Sequence, residues 1–486
     1  MRKVNCSLII FFFLIFFGCE NKKEVLTNQD QNLLVKVGHK SIMVNDFIKR
    51  CEYVPRPPYC KGDNYIHKKI ALNSLIAEKL LALEFEKKDL KLNDTHKSLV
   101  KGQQEQVMRQ LMLKSFGYDS VKIDNETIKN LVKLDKREYD IKFIILKNKF
   151  DDLTKTFSKE TSLSTLIQKI NFSGEIQYKK VSKNETMLDD VKEILFKGRP
   201  SKDKVYGPFK INKDQVLYFE IDTWIGSVDI TEKEKTERWE SIQKEYEEAE
   251  ALDFYSKYVK RLMKGKKIEY NSNVFQSFSN KLREIYLIEK EKKETVINKR
   301  IWNIDENIEF SSFDDIKKMG NRIIFSHDSR EYKIIDLLDL IKKHPLVFRN
   351  KKTNKDLFSN ELKYAIADLL RDYHITKRAY KLNFDKKVNI LNIKEKWEDH
   401  IKSTIYKKEF YDSKSFNILS TKIDSLQLIY SDMISIDTDK FEKVKLSSID
   451  MNVNYSNQPY SKIEPSFPIL TDDDLLDYGK KVSFND

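Results

Sequence analysis

Residues 70–93, IALNSLIAEKLLALEFEKKDLKLN, have a counterpart further along the chain in residues 361–383, ELKYAIADLLRDYHITKRAYKLN. Aligned without a gap, Leu72, Ile76, Ala77, Leu80, Lys87, Lys91, Leu92 and Asn93 fall on Leu362, Ile366, Ala367, Leu370, Lys377, Lys381, Leu382 and Asn383, an offset of 362 − 72 = 290. The same offset sets Ile42, Val44, Asp46 and Phe47 on Tyr332, Ile334, Asp336 and Leu337. In the first copy Ile70, Leu72, Leu75, Ile76, Leu80, Leu83 and Phe85 recur at helical spacing. Upstream, Leu34, Val35 and Val37, a turn at Gly38-His39, then Ile42 and Val44 predict two short strands and a helix capped by Asn45 or Asp46. Two separate segments sharing one offset are more than helical composition produces. The chain is therefore read as carrying two copies of a strand–strand–helix–helix module.

At 486 residues the chain has room for several domains. Charged residues make up 34% and hydrophobic ones 40%, with only 12 Gly and 9 Pro, which favours long helices over a turn-rich β fold. The net charge of +13 arises from Lys and Glu interspersed along helical stretches, with no separate basic block. That pattern describes a solvated surface, and no nucleic-acid partner is expected.

The chain opens MRKVNCSLIIFFFLIFFGCENKKEV. Arg2 and Lys3 precede an apolar run from Leu8 to Phe17, too short to span a bilayer and shaped like a secretory signal. Gly18-Cys19 at its end resembles a bacterial lipobox, with Phe16 where Leu is usual. This implies lipidation of Cys19 after removal of residues 1–18, and a location in the cell envelope, on the outer membrane facing the periplasm. Cys51 and Cys60 then remain as the only thiols, nine positions apart and bent round by Pro55, Pro57 and Pro58. In an oxidising compartment they predict a local disulfide. A metal site needs more ligands than this loop and nearby His67 offer.

Further along, Asp94 to Phe116 reads as a Gln- and Met-rich helix, with another starting near Asp124. Strands are predicted at 139–146, 176–181 and 216–221, with helices at 153–170 and 187–196 between them. A long charged helix from Glu232 to about Met263 carries Trp239, Tyr246, Phe254, Tyr255 and Tyr258. The fold class expected is α+β and mostly helical.

In this order the elements resemble the SurA/PrsA-type extracytoplasmic chaperones, which carry a parvulin-type peptidyl-prolyl isomerase domain. The carriers are VGHKSIMVNDF, the helix with LIAEKLLALEFEKKDLKLND, the Gln-rich helix, and GRPSKDKVYGPFKINKDQVLYFEI, which resembles a parvulin ending. The resemblance implies a signal peptide (1–18), a tether (19–31), a helical chaperone module (32–136) and a parvulin-like domain (137–226). A helical linker or body (227–300), a second module (301–390) and a C-terminal region of no recognised type (391–486) follow. It also implies ATP-independent binding of unfolded or partly folded envelope proteins, and membrane attachment through Cys19.

Active parvulins place a His on the first strand and another on the last; those positions here hold Phe143 and Leu217. No Cys or Ser stands at an evident replacement position, so no catalytic residue is assigned and the isomerase domain is expected to be degenerate. Two other readings compete: a working parvulin-type isomerase, and a structural lipoprotein subunit of an envelope assembly or secretion machine. The seven histidines form no HxxxH or HxxEH pattern, and no GxSxG, P-loop or GxGxxG is present, so neither metal nor cofactor is implied.

Overall fold

The computed structural model describes residues 32–147, 162–170, 173–202, 204–284, 314–349, 356–410, 416–446 and 464–484. Residues 1–31, where a signal segment, the lipidated Cys19 and a tether are expected, lie outside them. The chain begins β1 (Leu33–Val37), β2 (Lys40–Met43), α1 (Val44–Glu52), α2 (Tyr65–Lys87) and α3 (Asp94–Phe116). It continues α4 (Asn125–Asp135), β3 (Arg137–Lys147), α5 (Leu163–Lys169), β4 (Gln177–Val181), α6 (Asp189–Phe196), β5 (Val205–Lys210), β6 (Gln215–Gly226) and α7 (Glu232–Met263). Then come β7 (Ile268–Tyr270), a helix α8 over 272–284, α9 (Asp314–Lys318), β8 (Ile323–His327), β9 (Arg330–Lys333), α10 (Ile334–Lys343) and α11 (Phe358–Lys381). The last elements are α12 (Val388–Phe410), α13 (Phe416–Ile429), β10 (Ile434–Ile436), α14 (Thr438–Lys443) and β11 (Lys480–Lys481). The protein is α+β and mostly helical, with small sheets. It divides into two compact units: residues 1–111 together with 262–486, and residues 112–261.

In the first unit, β1 and β2 pair antiparallel across Gly38-His39, where Gly38 takes the left-handed φ of +60° that its missing Cβ permits. Helix α2 is started by Asn64, whose side chain accepts the His67 N–H, and it is buried on nearly every side. Its apolar residues, among them Leu72, Ile76 and Leu80 at 0% exposure, form one core with β1, β2 and α1. The C-terminal region closes that core. Strand β10 pairs antiparallel with β1 (Val35 opposite Ile436, Val37 opposite Ile434), and Phe441 of α14 meets Phe47 edge-on at 5.8 Å. Residues expected in separate segments, 32–136 and 391–486, therefore share a single hydrophobic interior.

Charges are buried in the same unit. Lys40, 2% exposed, gives its ammonium to Asp399 (2.6 Å) and Glu86 (2.9 Å), and Lys79 reaches the other Asp399 oxygen at 2.8 Å. Arg50 donates to Glu78 at 2.7 Å, whose second oxygen lies 3.0 Å from His400 Nδ1. Lys396 joins Asp46 (2.9 Å) and Glu464 (2.6 Å). Ion pairs thus lock β2, α1 and α2 to α12.

The second copy repeats the first element by element. An offset of 290 carries Leu33–Val37 onto Ile323–His327 (323 − 33), Lys40–Met43 onto Arg330–Lys333 (330 − 40), and Val44 onto Ile334 (334 − 44). Leu362, Ile366 and Leu370 are as buried as their counterparts Leu72, Ile76 and Leu80. Here too an outside strand completes the sheet. β7 pairs antiparallel with β8, and Phe275, Phe278 and Leu282 of α8 fill the core beside Phe325 and Tyr332. The match ends before the sequence alignment does. Asp89 makes the left-handed exit from α2, whereas α11 runs four residues past the equivalent of Lys87 (381 − 377) and leaves through left-handed Asn383. Lys91, Leu92 and Asn93 consequently lie beyond their helix, and Asn93 caps α3 instead.

The second unit is built on an antiparallel sheet of order β4-β3-β6-β5. Because side chains alternate along a strand, the sheet has two cores. On one face α5 covers Ile144, Leu146, Val216 and Tyr218; on the other α6 covers Tyr139, Ile141, Phe219 and Ile221. Helix α4 is capped by Asp124, whose carboxylate accepts the N–H groups of Glu126 and Thr127.

Candidate functional site

The positions singled out on the sheet, Phe143 and Leu217, come together on the α6 face. Phe143 stands opposite Phe219 across the β3–β6 ladder, and Leu217 stands opposite both Ile145 of β3 and Phe209 of β5. Both are partly buried and packed against the same aromatic cluster. Phe219 stacks on Tyr206 at a centroid distance of 5.1 Å and lies 5.7 Å from Phe209. Tyr139 meets Phe196 edge-on at 5.4 Å.

The two phenols in this cluster are occupied. Tyr139 donates to the Leu195 carbonyl at 2.8 Å, and Tyr206 accepts the Ser201 N–H at 2.8 Å. Burial pushes the Tyr139 phenol up, further from the range where it could exchange a proton near neutrality. The nearest buried carboxylate on β6, Glu220, belongs to the opposite face, where it accepts the Leu163 N–H at 2.7 Å. Among the described residues the α6 face thus offers apolar and aromatic surface with no acid–base pair. Its cations, Arg137 and Lys202, lie over the Trp224 ring at 4.5 and 4.8 Å from the centroid, and rotation about a prolyl amide faces a barrier of about 18–20 kcal/mol.

The Cys51–Cys60 bridge predicted from the sequence is absent: both cysteines are free thiols, 3% and 0% exposed. Other bonds close their loop. The Arg56 guanidinium donates to the carbonyls of Cys60, of Lys61 at 2.8 Å and of Gly62 at 3.2 Å, and Gly62 N–H donates to His67 Nδ1 at 2.8 Å. Cys51 projects from α1 into the core with Phe47, where a thiol packs as a small apolar group. Burial pushes the Cys51 thiol up to about 12 and the Cys60 thiol to about 11, with Arg56 only partly opposing. Both are poor nucleophiles at neutral pH. Cys19 lies outside the described residues.

Sequence reasoning missed the buried ion pairs around Glu78 and Asp399. The one available signal was Glu78-Lys79 set inside an otherwise apolar helical run. Among the described residues no cluster of three or more His, Cys, Asp or Glu is placed to hold a metal ion, and no helix is long and apolar enough to cross a membrane. No protein-family model, curated protein or solved structure matches the chain.

Proposed function

We propose that the chain is a lipid-anchored extracytoplasmic chaperone of the SurA/parvulin kind, holding unfolded or partly folded envelope proteins without ATP, with an isomerase-like domain that does not turn over. The observation that carries the reading is the repeated module: two copies of one strand–strand–helix–helix unit at a single offset, separated in sequence by a small antiparallel α+β domain. That domain, over residues 137–226, is the parvulin-like part. Its apolar face at Phe143 and Leu217, with no acid–base pair among the described residues, supports binding over catalysis and weighs against the working-isomerase reading. Unfolded chains present dispersed apolar segments, and each such side chain contributes about 1.5–3 kcal/mol when buried, before the ordering cost of the client. Several sites acting together are therefore required.

The test is suppression of light scattering as a chemically unfolded outer-membrane protein is diluted into ATP-free buffer with the full chain. Stoichiometric suppression supports the reading. Unchanged aggregation at a several-fold molar excess of the chain overturns it.

A further inference from the structure

We propose that the cleft between α4, α6 and α7 is a binding site for an extended peptide segment in which one apolar or aromatic residue is flanked by an acidic residue on one side and a basic residue on the other. This deepens the chaperone reading and rests on it for the source of the peptide.

The cleft measures about 560 Å³, inside the range of about 300–1,000 Å³ typical of ligand sites. Its apolar surface comes from one residue or more of each helix: Leu131 of α4, Phe196 of α6, and Ile242 and Tyr246 of α7. Phe196 and Ile242 are buried at its base, 3% and 5% exposed. The charges lining the cleft divide into satisfied and unsatisfied. Lys183 bridges Asp135 and Glu245 at 2.8 Å each, and Lys197 pairs with Glu193 at 2.7 Å, so these ions are neutralised within the protein. Lys192 on α6 and Glu250 on α7 are different. Both line the cleft and are half-buried, and among the described residues neither has an opposite charge within 4.0 Å; Lys257, paired with Asp253 at 2.6 Å, acts on Glu250 only from further off.

Opposite charges on two walls of one cleft, partly desolvated and without a close ion-pair contact, suit an occupant that carries both complements. A fatty acid or other lipid would satisfy the apolar base and Lys192 but leave Glu250 facing an apolar tail. An extended peptide satisfies all three. Its central side chain enters among Phe196, Ile242 and Tyr246, a carboxylate reaches Lys192, and an ammonium or guanidinium reaches Glu250. Residues two apart in an extended chain project to the same side, so an X-apolar-X core with charged residues just outside it has the needed reach.

The experiment is fluorescence anisotropy with full-length protein in detergent and two labelled probes, Lys-Ala-Phe-Ala-Glu and Glu-Ala-Phe-Ala-Lys, which cover both chain directions. A Ser-Ala-Phe-Ala-Ser probe serves as the neutral control. We expect one charged probe to bind at least about tenfold more tightly than the control. Ala249 lies exposed on the cleft wall, and Ala249→Trp, which fills the cleft without removing a charge, should weaken that probe by about tenfold or more. Lys192→Glu combined with Glu250→Lys should transfer the preference to the other probe. Equal binding of all three probes, or binding indifferent to Ala249→Trp, overturns the site. Aggregation suppression measured on the same samples separates the two readings. Probe binding that Ala249→Trp abolishes, in a protein that suppresses no aggregation, leaves the cleft standing and removes the chaperone. Suppression with no probe preference does the reverse.

Discussion

At Glu78 a carboxylate buried in the protein interior carries its negative charge to unusually low pH. Burial alone would raise its pKa, but Arg50 at 2.7 Å and the bond to His400 outweigh it and hold the group at about 2, against an ordinary 4.5. Since the folded value is the lower one, the stability that Glu78 contributes is complete above pH 4.5 and is lost as pH falls from there toward 2. Glu78→Gln leaves Arg50 buried without its counter-charge and should cost on the order of 3–5 kcal/mol at neutral pH. Denaturant titrations at a series of pH values should show the variant losing less further stability than the parent over that acid window; parallel losses would contradict the assignment. The two cysteines give a second test at this scale. Thiol tagging in denaturant without reductant should add two tags, at Cys51 and Cys60, while brief tagging of the folded protein adds neither. A single untaggable oxidised pair would show that the loop closes by a disulfide after all.

Each module is finished by a strand and a helix from elsewhere in the chain. In the first copy these are β10 and α14; in the second, β7 and α8, each strand lying antiparallel to the module's own first strand. Phe441 plugs the first core against Phe47, and Phe441→Ala should destabilise that unit by about 3–5 kcal/mol. Hydrogen exchange should then speed up in β1 and α2 as well as in α14. An effect confined to α14 would mean that the first module holds together without its closing elements. The paired modules were legible in the sequence because each depends on local signals: helical periodicity in Leu72, Ile76 and Leu80, and a two-residue turn at Gly38-His39. Their closing elements were not. Ile434–Ile436 is three residues long, too short for alternation to register, and its partner Leu33–Val37 lies some four hundred residues away in sequence. The tail of the repeat misled for a related reason: Leu92-Asn93 and Leu382-Asn383 are the same letters, yet one pair leads into α3 and the other ends α11.

At the scale of the whole molecule, one unit is discontinuous in sequence and contains both modules, and the other is a continuous insertion carrying the sheet domain. Three strands of the sheet domain were readable from apolar stretches such as 139–146 and 216–221, but Val205–Lys210 was not, and that Phe143 and Leu217 stand on adjacent strands against an aromatic cluster is seen only in the fold. Beyond Glu78-Lys79 in its apolar run the buried ions were not readable, since Lys40 and Asp399 have the same letters as the many lysines and acids on the surface, and only the packing of α12 on α2 takes them out of water. If client contacts are spread over several apolar surfaces, deleting residues 137–224 should leave roughly half or more of the aggregation-suppressing activity, because the two modules still act together. Complete loss, in a shortened chain whose circular dichroism shows it folded, would locate client binding in the inserted domain alone.

Binding without turnover can be checked by measuring both activities on one preparation of the full chain: suppression of client aggregation without ATP, and prolyl isomerisation in a protease-coupled peptide assay. Stoichiometric suppression is expected together with an isomerisation rate no faster than the uncatalysed reaction. Catalysed isomerisation that disappears on changing Phe143 or Leu217, with no suppression of aggregation, would contradict it.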